Sequence, residues 1–120
     1  MPILNSMRIL EKYTFQICTN ENIFPNEIDL VFTLQILDIC LDASAELECA
    51  FHNNLFFPNN LYARRIHQTA CYLHLNSLLH LIEYAWKTYN ISSRQIKYWA
   101  SLVVLTKKNL DVWVASDLSI

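Results

Sequence analysis

The chain has 120 residues, of which 53% are hydrophobic and 17% are charged, as expected for one folded domain rather than a disordered segment. It contains no glycine. Hairpin turns and phosphate-binding loops depend on glycine, so a β-sandwich, a Rossmann unit and a P-loop are disfavoured. The net charge of −2 argues against a protein that binds polyanions over its whole surface. The fold class that remains is all-α.

The first predicted helix covers about residues 3–19. Its apolar side chains recur at helical spacing: Ile3, Met7, Leu10, Tyr13 or Thr14, and Ile17. The polar run at 19–22 ends this helix. Pro25 then separates it from the next one, because proline cannot continue a helix from within.

The second predicted helix covers about residues 26–52, with acidic residues in its first turn, where the helix dipole favours them. The row predicted to face the core is Leu30, Leu34, Leu37, Leu41 and Ala45. Asp38, Asp42 and Glu46 follow one another at intervals of four residues, and like charges at that spacing repel weakly. This acidic stripe faces either solvent or the basic residues of a neighbour.

The third predicted helix covers about residues 60–89. Its polar stripe consists of Arg65, Thr69, Tyr72, Asn76, His80, Glu83 and Lys87. The apolar residues predicted to face the other way are Ile66, Ala70, Leu73, Leu81 and Ala85. Further apolar residues lie outside that row: Leu75, Leu78, Leu79, Ile82, Trp86 and Tyr89. This surplus indicates a second buried face, which a homo-oligomer would cover.

The fourth predicted helix covers about residues 93–115. Ser92 and Gln95 have the spacing of a capping box, which marks the start of a helix. The apolar rows of this helix are Ile96, Trp99, Val103, Leu110 and Trp113, and we expect both tryptophans to pack in the core. Four amphipathic helices with short connections predict an antiparallel up-down-up-down four-helix bundle, formed by residues 1–120 as a single domain.

Charge is divided unevenly along the chain. Residues 1–60 carry two cations and eight acids, a net of −6, whereas residues 61–120 carry seven cations and three acids, a net of +4. The asymmetry indicates either halves that attract each other, within the fold or between subunits, or a nucleic-acid-binding face. The candidate nucleic-acid contacts are Arg64, Arg65, Lys87, Arg94, Lys97, Lys107 and Lys108.

The cysteine and histidine residues show no spacing that predicts a disulfide framework, a metal site or a catalytic pair. We expect Cys18, Cys40, Cys49 and Cys71 to be free thiols, because the chain shows neither a signal-peptide pattern nor a Cys-x-x-Cys motif. His67, Cys71 and His74 share one helix face, but a tetrahedral metal site usually recruits a second segment. No spacing selects a Cys–His catalytic pair. We therefore expect no enzymatic activity, no metal and no cofactor, although an enzyme built on Cys and His remains an alternative.

Membrane insertion is also disfavoured. Uninterrupted apolar runs such as Leu102-Val103-Val104-Leu105 are four residues long, whereas a membrane-spanning helix needs about 20. We therefore expect a cytoplasmic protein with no membrane partner.

Several short segments, taken in order along the chain, resemble the accessory variability determinant (Avd) proteins of diversity-generating retroelements. Phe24-Pro25-Asn26 is similar to the family's Phe-Pro-Lys between the first two helices, and basic residues stand near the start of the third helix in both. The remaining similar segments are Thr33-Leu34-Gln35-Ile36, Leu78 to Ala85, Ile91 to Tyr98, and Trp113-Val114.

The resemblance implies a four-helix bundle that assembles as a homopentamer, binds a reverse transcriptase and template RNA, and supports mutagenic reverse transcription without catalysing it. The family is typically strongly basic, whereas this chain has a net charge of −2 and carries Asn26 in place of the lysine. These departures from the family pattern fit a member that binds its polymerase mainly through protein contacts. The alternative is a bundle protein of the ribosomal-RNA intervening-sequence type, or a general protein-interaction adaptor.

Overall fold

The computed structural model describes residues 1–25, 27–53 and 58–118, apart from the side chains of residues 27, 28, 58 and 59. Of the described residues, 88% are helical and none forms a strand. The four helices are α1 (Pro2–Cys18), α2 (Glu27–His52), α3 (Pro58–Thr88) and α4 (Ser93–Leu118). The predicted all-α four-helix bundle is confirmed. Asn26, the predicted first residue of the second helix, lies outside the described residues.

The helices form a closed ring in chain order. Consecutive helices pack against each other, and α1 also packs against α4. Side-chain hydrogen bonds show that neighbours are antiparallel: Trp99 near the start of α4 bonds Thr14 near the end of α1. Tyr89, just after α3, likewise bonds Asp29 in the first turn of α2. The bundle measures 49 × 24 × 19 Å.

Local sequence signals explain where helices begin and end. The hydroxyl of Thr19 donates to the Phe15 carbonyl at 2.8 Å and closes the last turn of α1. Thr19 itself has φ −96° and ψ 3°. At the start of α4, the backbone N–H of Gln95 donates to Ser92 Oγ at 3.1 Å, and that of Ser92 donates to Gln95 Oε1 at 3.2 Å. This is the predicted capping box. No described residue has a positive φ, so these helix ends need no glycine.

The core rows predicted for the first and fourth helices are confirmed. On α1 the buried apolar residues include Ile3, Met7, Leu10 and Ile17. On α4 they include Ile96, Trp99, Val103, Leu110 and Trp113. Both tryptophans therefore lie in the core, as expected. The buried indole N–H of Trp99 donates to Thr14 Oγ1 at 3.0 Å, which satisfies its donor.

The predicted core face of α2 is wrong. Leu30, Leu34 and Leu41 are 54%, 48% and 59% exposed, and Ala45 is also exposed, whereas Leu37 is partly buried. The row that enters the core is Thr33, Ile36, Cys40, Ala43, Leu47 and Ala50. Two faces of this helix are apolar, so periodicity alone admits both orientations, and packing against α1 and α3 selects the row with smaller side chains.

The predicted faces of α3 are also partly wrong. Ile66 and Leu73, assigned to the core, are exposed, although Ala85 is buried as expected. Residues assigned to a surplus second face, Leu75, Leu78 and Ile82, form the actual core row together with Cys71. The surplus apolar surface therefore exists, but it lies on other rows of the bundle than those predicted.

Candidate functional site

The seven candidate cations do not share one surface role. Arg64 is held inside the fold: its Nη2 donates to Asp117 Oδ1 at 2.9 Å, and its Nε lies 2.8 Å from Asp117 Oδ2. Its guanidinium carbon lies 4.4 Å from the ring centre of Trp113, in cation–π geometry. The Arg64 side chain is 13% exposed. Phosphate contact by Arg64 would therefore require breaking an ion pair that is already formed.

Two further cations lie partly buried between α3 and α4. Arg65 lines a small cavity of about 180 Å³ with Gln68, Tyr72 and Asp111. The buried Nε of Arg65 has no hydrogen-bond acceptor among the described residues. Lys107 places its Nζ 5.0 Å from the ring centre of Tyr72. Both side chains thus lie against other residues of the bundle and are only partly accessible to a ligand.

The remaining four cations are exposed, and they are Lys87, Arg94, Lys97 and Lys108. Three of them flank the α3–α4 turn, because Lys87 lies in the last turn of α3 while Arg94 and Lys97 lie in the first turns of α4. Arg65 is 22 residues from Lys87 along the same helix, about 33 Å at 1.5 Å per residue. The candidates therefore form separate groups along the bundle, and the turn group of Lys87, Arg94 and Lys97 brings three exposed cations to one end.

The His67, Cys71 and His74 face does not assemble a metal site. His67 Nδ1 lies 2.5 Å from Glu46 Oε2, so it is bonded to a carboxylate of α2, whereas Cys71 is fully buried. Over residues 1–25, 27–53 and 58–118, no group of three or more His, Cys, Asp and Glu side chains is arranged to hold a metal ion. Glu46 of the acidic stripe thus faces a neighbouring helix.

The buried thiols lack the character of nucleophiles. All four cysteines are free, as expected, and Cys49 alone of the four is exposed. Burial raises the pKa of Cys18 and Cys71 to about 12 and that of Cys40 to about 11. A catalytic thiol needs its pKa lowered so that the thiolate is populated at neutral pH. These three side chains therefore act as small core residues.

An open groove of about 710 Å³ lies between α1 and α2. Its walls include Phe15 of α1 together with Leu37 and Leu41 of α2, and Cys40 lies at its base. Arg8 and Lys12 also line it from α1. The sequence did not predict this groove, because its leucine row has the periodicity of a core face. The signal that identifies it is the second apolar row on α2.

Comparison with known proteins gives no match: no protein-family model, no curated protein and no solved structure is detectably similar to this chain. No helix in the described part of the chain is long and apolar enough to cross a membrane.

Proposed function

We propose that this protein is a non-enzymatic accessory protein of a diversity-generating retroelement, which binds the reverse transcriptase and supports mutagenic reverse transcription. The observation that carries the proposal is the order and spacing of the Avd-like segments on a four-helix bundle. Phe24-Pro25 lies between α1 and α2, Ile91-Ser92 immediately precedes α4, and Trp113 packs near the end of α4. The positions of these three segments relative to the helices support the proposal.

Protein contacts are the main binding mode in this proposal. Exposed apolar side chains occur on all four helices, for example Ile9, Leu34, Leu73 and Val112, and such surface is typical of interaction sites when it is contiguous. Cations, by contrast, are few, and Arg64 is already paired with Asp117. Nucleic acid, RNA or DNA, is a secondary partner that would contact the exposed turn group of Lys87, Arg94 and Lys97.

A homo-oligomer is part of the proposal. The resemblance implies five chains, and the exposed apolar residues give a physical reason for self-association, because burying them removes apolar area from water. A cytoplasmic location and the lack of catalysis belong to the same proposal.

A general protein-interaction adaptor, or a bundle protein of the ribosomal-RNA intervening-sequence type, is the second candidate. The net charge of −2 and the intramolecular Arg64–Asp117 pair favour it over an RNA-binding role. Genomic neighbourhood separates the two, because an Avd-like gene lies beside a reverse-transcriptase gene and a variable repeat.

The decisive experiment is co-purification with the reverse transcriptase encoded beside this gene. We expect a stoichiometric complex that survives high salt, because protein contacts carry it. Absence of a neighbouring reverse transcriptase, or of a complex with it at any salt concentration, would overturn the retroelement role and leave the adaptor.

Nucleic-acid binding is tested separately with template RNA at low and high salt. If the turn group contacts phosphate, affinity falls steeply as salt rises, and Arg94→Glu with Lys97→Glu reduces both the affinity and the salt slope. Lys97→Glu and Lys108→Glu, compared singly, give the matched control, since each reverses one exposed cation of α4 and only Lys97 belongs to the turn group. Equal loss in the two variants, or no binding, removes the assigned RNA contact.

A further inference from the structure

Large apolar side chains in and beside the groove between α1 and α2 are exposed to solvent. Phe15, Leu34 and Leu41 are 59%, 48% and 59% exposed, and Leu30 continues the row toward the start of α2. From Leu30 to Leu41 the row extends about 16 Å, or three helical turns, at 1.5 Å per residue. Exposed leucines of this regularity are the surface on which one helix packs against another.

The two helices that form the groove carry opposite charges on their exposed residues. Arg8 and Lys12 are exposed on α1 and line the groove together with the partly buried Glu11, whereas Asp38 and Asp42 are exposed on α2, each one residue after a groove leucine, Leu37 or Leu41. On α2, no charged residue lies within the row from Leu30 to Leu41. Asp38 and Asp42 each follow a leucine of the row by one residue and so lie about 100° farther round the helix axis. A partner must therefore match an apolar centre with one acidic and one basic edge.

The opposite charges lie at matching levels along the bundle. α1 and α2 are antiparallel, and the Cys40 thiol lies close to the side chains of Thr14 and Glu11. Residues 11–14 of α1 are therefore level with residue 40 of α2. Counting from this point in opposite directions, Arg8 is level with Asp42 and Lys12 with Asp38 to within about one turn of 5.4 Å.

We infer that two copies of this chain pair groove to groove, about a two-fold axis that runs along the groove. This rotation keeps the level of every residue and exchanges the two edges, so that α1 packs antiparallel against α2 of the partner copy. Arg8 then meets the partner subunit's Asp42, and Lys12 meets the partner subunit's Asp38. Symmetry repeats both contacts, so the surface is complementary to itself, as a two-fold interface requires.

The charges also select this pairing over the other two-fold arrangement. An axis across the groove would place α1 on α1 and α2 on α2, so that cations face cations and acids face acids. The apolar row supplies the affinity in both arrangements, and the edge charges decide the orientation. The second copy is favoured over an unrelated partner because both complementary edges are present on this chain.

The inference goes beyond the proposed function and does not need it. A groove contact joins chains in pairs, whereas a ring of five uses a different, head-to-tail contact. The native mass separates the two assemblies. Two chains support the groove pair and overturn the ring, five chains do the reverse, ten chains support both, and one chain overturns both.

The test of the groove pair uses charge reversal on each edge, with mass measured by light scattering at low salt. Arg8→Glu with Lys12→Glu makes both edges acidic, and Asp38→Lys with Asp42→Lys makes both basic. We expect each variant alone to have half the native mass, because like charges then face each other across the two-fold axis. Mixing the two variants in equal amounts restores the native mass, since an acidic groove then meets a basic one.

The matched control is Arg94→Glu with Lys97→Glu, which reverses two exposed cations of α4 and keeps the native mass. Circular dichroism of each variant checks that the helices remain formed, and Leu41→Ser, which removes apolar contact without changing charge, gives a second route to the half-mass form. Failure of the mixture to associate, or half-mass behaviour of the α4 control, overturns the groove pair. So does a native single chain that binds an amphipathic helix of another protein in the groove.

Discussion

Arg64 and Asp117 form a two-point ion pair between the start of α3 and the end of α4, with contacts of 2.9 and 2.8 Å. Asp117 also accepts a hydrogen bond from Gln68 Nε2 at 2.9 Å, and both of its oxygens are therefore engaged. The carboxylate side chain is 3% exposed. The guanidinium lies over the Trp113 ring, and the same ring stacks on Phe51 of α2. Three helices are thus joined at this end of the bundle.

We expect Asp117→Ala to lower the free energy of unfolding by about 3 kcal/mol, because it leaves the Arg64 charge buried without its partner. Urea denaturation measures the change. Asp111→Ala, which removes an exposed carboxylate from the same helix, should change stability by no more than about 0.5 kcal/mol. Equal effects of the two substitutions would show that the buried pair does not stabilise the fold.

Thr14→Val is expected to destabilise the protein by about 1–3 kcal/mol, although the side-chain shape is nearly kept. The substitution removes the acceptor of the Trp99 indole N–H, a donor that is fully buried and would be left unsatisfied. Thermal or urea unfolding followed by tryptophan fluorescence measures the loss. Thr69→Val, at an exposed position of α3, is the control and should leave the midpoint nearly unchanged.

The capping box at α4 gives a smaller, local prediction. Ser92→Ala removes the side-chain oxygen that accepts from the Gln95 backbone N–H, so we expect a loss of about 1 kcal/mol in unfolding free energy. Ser93→Ala changes the adjacent exposed serine and should have a much smaller effect. If both substitutions have the same effect, Ser92 is not acting as the cap.

Stability should fall in alkaline solution because of the buried thiols. Burial raises the pKa of Cys71 to about 12, whereas a thiol in the unfolded chain ionises near about 8.5. Between these values the unfolded state binds fewer protons, so stability decreases with rising pH, by up to about 1.4 kcal/mol per pH unit for each such thiol. Urea midpoints at pH 8, 9 and 10 measure this slope.

Cys71→Ala should make that slope shallower, whatever its effect on stability at pH 8. Thiol labelling of the native protein gives an independent check, since the exposed Cys49 should react quickly while Cys18, Cys40 and Cys71 react only after unfolding. Rapid labelling of all four thiols in the native state would contradict the burial of three of them.

Much of the fold follows from local signals in the sequence. The Ser92–Gln95 box predicts the start of α4, and the single apolar rows of α1 and α4 predict their core faces. For α2 and α3 the same reasoning fails, because each has two apolar rows. Ile36 and Leu34 both satisfy a helical period, and only the packing of the neighbouring helices decides that Ile36 is buried.

The candidate site was less predictable than the fold. Arg64 has the appearance of a surface cation in the sequence, since its partner Asp117 lies 53 positions away and nothing local links the two residues. The groove was missed for the related reason that Leu41 has a core-like position in its own helix. Contacts between residues far apart in the chain therefore decide which cations and which leucines are exposed, and local sequence patterns do not reveal them.

The glycine-free helix ends also affect the unfolded chain. Because no glycine occurs in the sequence and no described residue needs a positive φ, the connection after Thr19 is made by residues whose backbone freedom is already restricted before folding. Glycine at such a position lowers stability by roughly 0.4–1 kcal/mol relative to alanine, through the larger entropy of the unfolded ensemble. The denatured chain thus has lower conformational entropy than a chain with glycine at its helix connections. Replacement of glycine by another residue, a common route to higher stability, is already complete in this chain.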